Sequence, residues 1–225
     1  MQRPSAGLFL LFPILGSLLA GHFRSSESGL SSYAPPQNPR LQRDALPLPN
    51  GAVIPLIAVP GPDGAPLFFL GETEISRRQW RAMDPAMDGP GFAATVSFDQ
   101  ALAYCGWLSG QSGRSVRLPA REEWTLAAAG GLQNAETPWG YNSRRVPRGV
   151  AFKKSVPPRR PGQAFGYGFR DMAGGVWEWT RDGRAAGGAW AESNPRQLRL
   201  DALLDLPPGY QGGDIGFRIL VEADR

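Results

Sequence analysis

The sequence predicts an α+β domain with two to three helices packed on short strands, and three observations lead there. Helix signals come early in the globular part and most strand signals follow them, on what reads as one core. The 225 residues include 29 glycines and 22 prolines, so regular elements must be short and separated by turns. No internal repeat or heptad pattern runs through the chain, which excludes a solenoid or a coiled coil.

The elements read in order. Leu8 to Ala20 (LFLLFPILGSLLA) is an apolar run behind Arg3, short for a bilayer span and suited to the apolar core of an export signal. Residues 1–21 therefore read as a signal peptide. Leu18 stands where a cleavage site wants a small residue, so an uncleaved N-terminal anchor through residues 8–20 stays open. Residues 22–66 are Ser-rich and then Pro-rich and read as an extended tether outside the core, with at most an edge strand at Ala52 to Val59. The globular domain is expected over 67–225. It opens on a strand at Leu67 (LFFLG) and a helix over Ile75 to Met83. Ser76 and Gln79 form a capping box there, and Ile75 can staple onto Trp80. A second helix starts at Ser97 with Gln100, sets Ala101, Tyr104, Cys105 and Leu108 on one face, and is expected to stop at Gly110. A third runs from Pro119 to Gly130-Gly131. Short strands are expected at Val176 to Thr180 and Ile215 to Val221.

Composition excludes several chemistries. With one cysteine, Cys105, there is no intrachain disulfide and no multi-thiolate zinc site. Cys105 falls on the apolar face of its helix and reads as a buried thiol. The one histidine, His22, lies before the globular domain, which leaves that domain without an imidazole base or metal ligand. The net charge of +4 is local. Arg144 to Arg160 (RRVPRGVAFKKSVPPRR) carries seven cationic residues and no acidic one, and reads either as a solvated loop or as a surface for an acidic partner.

Specific blocks carry a resemblance. GETEISRRQW, SFDQALAYCGWLSGQSGRSVRLPAREEWTLAAAGG, TPWGYNS, FGYGFRDMAGGVWEWTRD, GGAW and IGFRI follow the order of motifs in the formylglycine-generating enzyme (sulfatase-modifying factor) family. The chain resembles that family from about Phe68 to Val221. The resemblance implies a loop-rich, C-type-lectin-like fold with helices on twisted strands.

It also implies chemistry that can be checked residue by residue. Active members hold copper on two cysteines shortly after the block matched by GGAW, because soft thiolates suit Cu(I). The resemblance puts Glu192 and Gln197 at those positions. Iron-binding relatives use histidines that this domain lacks. No cofactor is therefore expected, with calcium left open: the asparagine of the family's block is Gly175 here, while Asp171, Glu178 and Asp182 offer hard oxygens. The alternative for these acids is turn hydrogen bonds or arginine partners. Strand alternation sets Trp177 and Trp179 on one face as core and Glu178 on the other, where it either pairs with a buried arginine or faces a loop. Arg114, Arg117, Arg121 and Arg170 are expected to bridge to Glu122, Glu123 or Asp171.

The expected function is an exported, periplasmic or extracytoplasmic domain that has lost copper chemistry and binds another protein, itself exported or membrane-associated. The expected surface comprises Trp190, Glu192, Asn194, Arg196 and Arg199, then Tyr210 and Asp214, and in the basic loop Arg144, Arg145, Arg159 and Arg160. Nucleic acid is not expected. The leucines of the C-terminal stretch, Leu198 to Leu206, read as core or as a partner-binding patch. Two alternatives stay open: an enzyme acting on a peptide-derived substrate, as in formylglycine generation or pyoverdine maturation, with Glu192 as its acid/base group, and a calcium-dependent lectin-like binder.

Overall fold

Strand pairing begins earlier in the chain than its composition suggests. The computed structural model describes residues 41–142, 144–207 and 209–223, so the leader 1–21 and the first part of the tether lie outside the described residues. The rest of the tether is sheet. Strands β1 (Arg43–Pro47) and β2 (Val53–Pro60) pair antiparallel, and β2 pairs in turn with β3 (Pro66–Gly71). Ile54, Leu56, Ile57 and Val59 are buried. The expectation that residues 22–66 lie outside the core is thus wrong from Arg43 on, and β2 is an inner strand. Pro55 is tolerated because pairing with β3 ends at Leu56 opposite Gly71, so its missing N–H faces no β3 partner. Its carbonyl still accepts from Glu72 N at 2.9 Å.

The five-stranded sheet has the order β1-β2-β3-β11-β4, with β4 at Val116–Arg117 and β11 at Leu220–Glu222. Strand β11 thereby lies between β3 and β4, antiparallel to both. A second sheet has the order β10-β7-β8-β9, made of β7 (Trp177–Trp179), β8 (Ala185–Ala186), β9 (Leu203–Leu204) and β10 (Ile215–Gly216). The single strand expected over Ile215 to Val221 is thus two strands in different sheets. A small hairpin joins β5 (Ala164–Phe165) to β6 (Phe169–Arg170).

Helix α1 (Arg77–Trp80) keeps its capping box: Gln79 N donates to Ser76 Oγ and Ser76 N to Gln79 Oε1. It is shorter than expected because Ala82 N and Met83 N bond back only three residues, to Gln79 and Trp80, and that tightened turn leads into Pro85. Helix α2 (Phe98–Ser112) has the expected Ser97 and Gln100 box but runs through Gly110. It stops at Gly113, which is left-handed at φ +68°. Helix α3 (Arg121–Ala129) has no side-chain cap at Ala120; the Glu123 carboxylate accepts the Ala120 N–H at 2.7 Å instead. It ends at Gly130, φ +58°, where an added Cβ would lie 2.2 Å from the Cα of Gly166. The end of α3 and the β5–β6 turn touch backbone to backbone.

Two large apolar clusters and a smaller one around Val150, Ala173 and Leu198 fill the interior of the described residues. In one, the Trp80 and Tyr104 rings stack at 5.2 Å and Phe217 meets Tyr104 edge-on at 5.5 Å, each pair contributing about 0.5–1.5 kcal/mol beyond burial. Trp124, Phe169 and Leu220 belong to the other large cluster. Burial pushes the Cys105 thiol up to about 12, in line with a core role. Leu198 and Leu200 are buried and Leu203 is exposed. The arginine pairs only partly match expectation: Arg117 binds Glu123 and Glu222, but Arg114 binds Asp44 and Arg170 binds Glu72. Arg121 lies over Trp124 and donates to the Leu200 carbonyl. Among the described residues no helix is long and apolar enough to cross a membrane.

Candidate functional site

The interior of the domain holds a fully satisfied buried ion pair. Arg218 has 0% of its side chain exposed, as does Glu178. Its Nε and Nη2 donate to the two Glu178 oxygens at 2.6 Å each. Its other N–H groups reach the carbonyls of Gly71, Glu72 and Arg170, so all five donors of the guanidinium are used. Trp124 Nε1 adds a bond to Glu178 Oε2 at 2.7 Å. One pair therefore fixes β7, the ends of β3 and β6, and α3. Glu178 takes the arginine-paired role of the two left open, while Trp177 and Trp179 are buried as expected.

A second buried carboxylate sits beside it. Glu74 Oε1 accepts from Val176 N at 3.3 Å, while Oε2 has no partner among the described residues. Burial first, then the nearby charges of Asp171 and Glu178, hold this carboxyl well above the usual range. Gly175 accommodates it: at φ +68°, a Cβ on Gly175 would lie 2.2 Å from Glu74 Oε1. A side chain at position 175 would require Glu74 to move and would be strained at this φ.

The three carboxylates considered for calcium are each held by other groups. Glu178 pairs with Arg218; Asp182 accepts from Thr180 Oγ1 at 2.6 Å and from Arg184 Nε at 2.8 Å. Asp171 Oδ2 accepts from Gly162 N at 2.6 Å. Among the described residues no group of three or more His, Cys, Asp and Glu side chains is placed to hold a metal.

The segment after Gly187–Trp190 is where the resemblance implies copper. Glu192 is half-buried there, and its Oε1 accepts from Trp177 Nε1 at 2.8 Å. Gln197 lies in a 3-10 turn (Pro195–Leu198), its N–H bonded to Asn194 O. A carboxylate and an amide do not supply two soft thiolates, and Cys105 is a core residue of α2, so the residues present do not fit a Cu(I) site.

This segment and the basic loop are stitched together: Lys153 N donates to Glu192 O and Lys154 N to Trp190 O. Of the expected surface residues, Arg144, Asn194, Arg196 and Arg199 line one open depression of about 640 Å³. Arg145 lines a neighbouring one of about 860 Å³, and Tyr141 and Asn142 line both. Arg159, Tyr210 and Asp214 line neither, and Trp190 is half-buried. Arg160 borders a separate cavity of about 10 Å³ beside Glu74, Asp171 and Arg77. Sequence reading missed Glu136, Tyr141, Asn142 and Asp201 in the first depression. A signal for part of it was present: Asn142 and Asn194 each stand two residues before an arginine.

Fold and site together define a C-type-lectin-like α+β domain with a buried Arg218–Glu178 pair. Residues 93–223 match the model of the Sulfatase-modifying factor enzyme 1-like domain, and the chain belongs to that family. It is 30% identical over 184 residues to "Inactive C-alpha-formylglycine-generating enzyme 2" of Bos taurus, which covers 67% of this chain and 58% of the relative. It is 33% identical over 142 residues to "Formylglycine-generating enzyme" of Thermomonospora curvata, 52% of this chain and 44% of the relative. The chain thus spans 58% of the first relative's length and 44% of the second's. Among solved structures, Treponema denticola variable protein 1 superposes with a TM-score of 0.59 at 18% identity, covering 80% of this chain and 99% of that one, a likeness of fold.

Proposed function

We propose that this chain is an exported, non-catalytic sulfatase-modifying-factor-like domain that acts as a protein-binding accessory or scaffold. The observation that carries the reading is the Glu192–Trp177 hydrogen bond, which commits to the fold a residue standing where the resemblance calls for a copper thiolate. The bovine relative named as inactive supports the same reading. Export rests on the apolar leader and places the partner among exported or membrane-associated proteins. With copper chemistry lost, the depressions around Tyr141 are the surface on which a partner can be held, since loops on a rigid scaffold vary freely.

The test is in-cell cross-linking of the full chain, identification of the linked protein by mass spectrometry, and reconstitution of the pair from purified components. The expected result is one recurring partner that rebinds in vitro. A chain that carries stoichiometric copper or iron and consumes oxygen with a peptide substrate would replace this reading with the enzymatic one.

A further inference from the structure

Two arginines with no ion-pair partner among the described residues face one depression from distant parts of the chain. Arg144 follows the Pro138-Trp139-Gly140 turn, and Arg196 lies in the 3-10 turn. Each donates its backbone N–H to the side chain of an asparagine two residues earlier, Asn142 and Asn194, at 3.1 Å in both cases. This local bond holds the backbone while leaving the guanidinium free. Arg199 differs: it is neutralised by Asp201 at 2.8 Å and Glu136 at 3.2 Å. The two acids of the depression are thereby engaged, and the charge of Arg144 and Arg196 is uncompensated. Beyond Tyr141, which is 63% exposed, Arg145 and Arg148 line the adjoining depression together with Trp139.

We infer that this continuous surface binds an acidic stretch of another protein in extended form. Its carboxylates lie on Arg144 and Arg196 on one side of Tyr141, and on Arg145 and Arg148 on the other. The inference rests on the accessory reading above. Arginine forks match carboxylates bidentately. In an extended chain alternate side chains point the same way about 7 Å apart, so one short segment can reach both depressions. The exposed Tyr141 ring and the half-buried Trp139 give the intervening residues an apolar contact. A flat bilayer would span the concave sites without entering them.

Fluorescence anisotropy of the full chain tests this with a labelled peptide about ten residues long in which glutamate alternates with alanine. Its glutamine counterpart, heparin and phosphatidylglycerol vesicles are run alongside. The glutamate peptide is expected to bind in a salt-sensitive manner and the glutamine peptide not to. The pair Arg144→Gln with Arg196→Gln should weaken binding about tenfold or more with an unchanged melting curve, and the corresponding lysine pair should weaken it less. Equal binding of both peptides, or equal binding by the glutamine variant, overturns the inference. Binding of heparin or vesicles without the acidic peptide overturns it too, in favour of a glycan or membrane surface. If the variant still cross-links to the same partner as the wild type, this site is wrong and the accessory reading stands; if neither cross-links to any partner, the accessory reading itself fails.

Discussion

The indole N–H of Trp177 donates to Glu192 Oε1 at 2.8 Å. That bond ties the first residue of β7 to the loop where the resemblance implies thiolates in active relatives, and gives Glu192 a structural partner there. Glu192→Gln keeps an acceptor and should change unfolding free energy by under about 0.5 kcal/mol. Glu192→Ala strands the indole donor and should lose about 1–3 kcal/mol. Urea denaturation of both variants checks the difference, and equal losses would contradict a role as acceptor.

Removing half of the buried Arg218–Glu178 pair should be the most damaging single change. Glu178→Gln leaves the guanidinium without its bidentate counter-ion and is expected to lose about 3–5 kcal/mol. Combining it with Arg218→Met should lose less than the sum of the single changes, because the stranded charge is gone. An additive double variant would show that the two groups are not coupled.

Glu74 makes stability depend on pH in a definite direction. Its folded-state pKa is raised by burial, then by Asp171 and Glu178, so the folded state keeps a proton that the unfolded chain releases above about pH 4.3. Its contribution is full below that pH and is lost as pH climbs toward the folded value. Glu74→Gln cannot titrate, so its melting temperature relative to wild type should improve from about pH 4 to about pH 8. Asp171 is also raised, with burial as the largest cause, and remains in both proteins. A constant gap across the range would show that Glu74 is charged in the folded protein.

Gly130 and Gly166 separate backbone contact from backbone strain. Gly130→Ala must place a Cβ 2.2 Å from Gly166 Cα at φ +58°, and is expected to lose about 2–5 kcal/mol. Gly113→Ala has a similar φ of +68° and nothing within 4 Å, so it should lose only about 1–2 kcal/mol. Equal losses in thermal or urea unfolding would place the whole effect in the dihedral.

The parts of the fold legible in the sequence are those fixed by near neighbours. The Ser76–Gln79 and Ser97–Gln100 boxes each span three residues, and Gly130 closes a helix by its own φ. What escaped depends on distant partners. Strands β1 and β2 contain Pro47, Pro55 and Pro60 and read as tether, yet β2 lies between β1 and β3. The partner of Glu178 stands 40 residues away at Arg218, so alternation could show a buried acid without saying what neutralises it. The candidate surface was half legible: Arg144 and Arg196 were named from their segments, but only the tertiary fold puts them around one depression with Tyr141.

The central claim is that a protein with this fold has given up copper chemistry, and titration of the purified full chain with Cu(I) under anaerobic conditions, followed by oxygen uptake with a cysteine-containing peptide, tests it most directly. No stoichiometric Cu(I) binding and no peptide-dependent oxygen consumption are expected, because Glu192 and Gln197 supply no thiolate and Cys105 is buried in α2. One Cu(I) held per chain together with peptide-dependent oxygen uptake would contradict the claim.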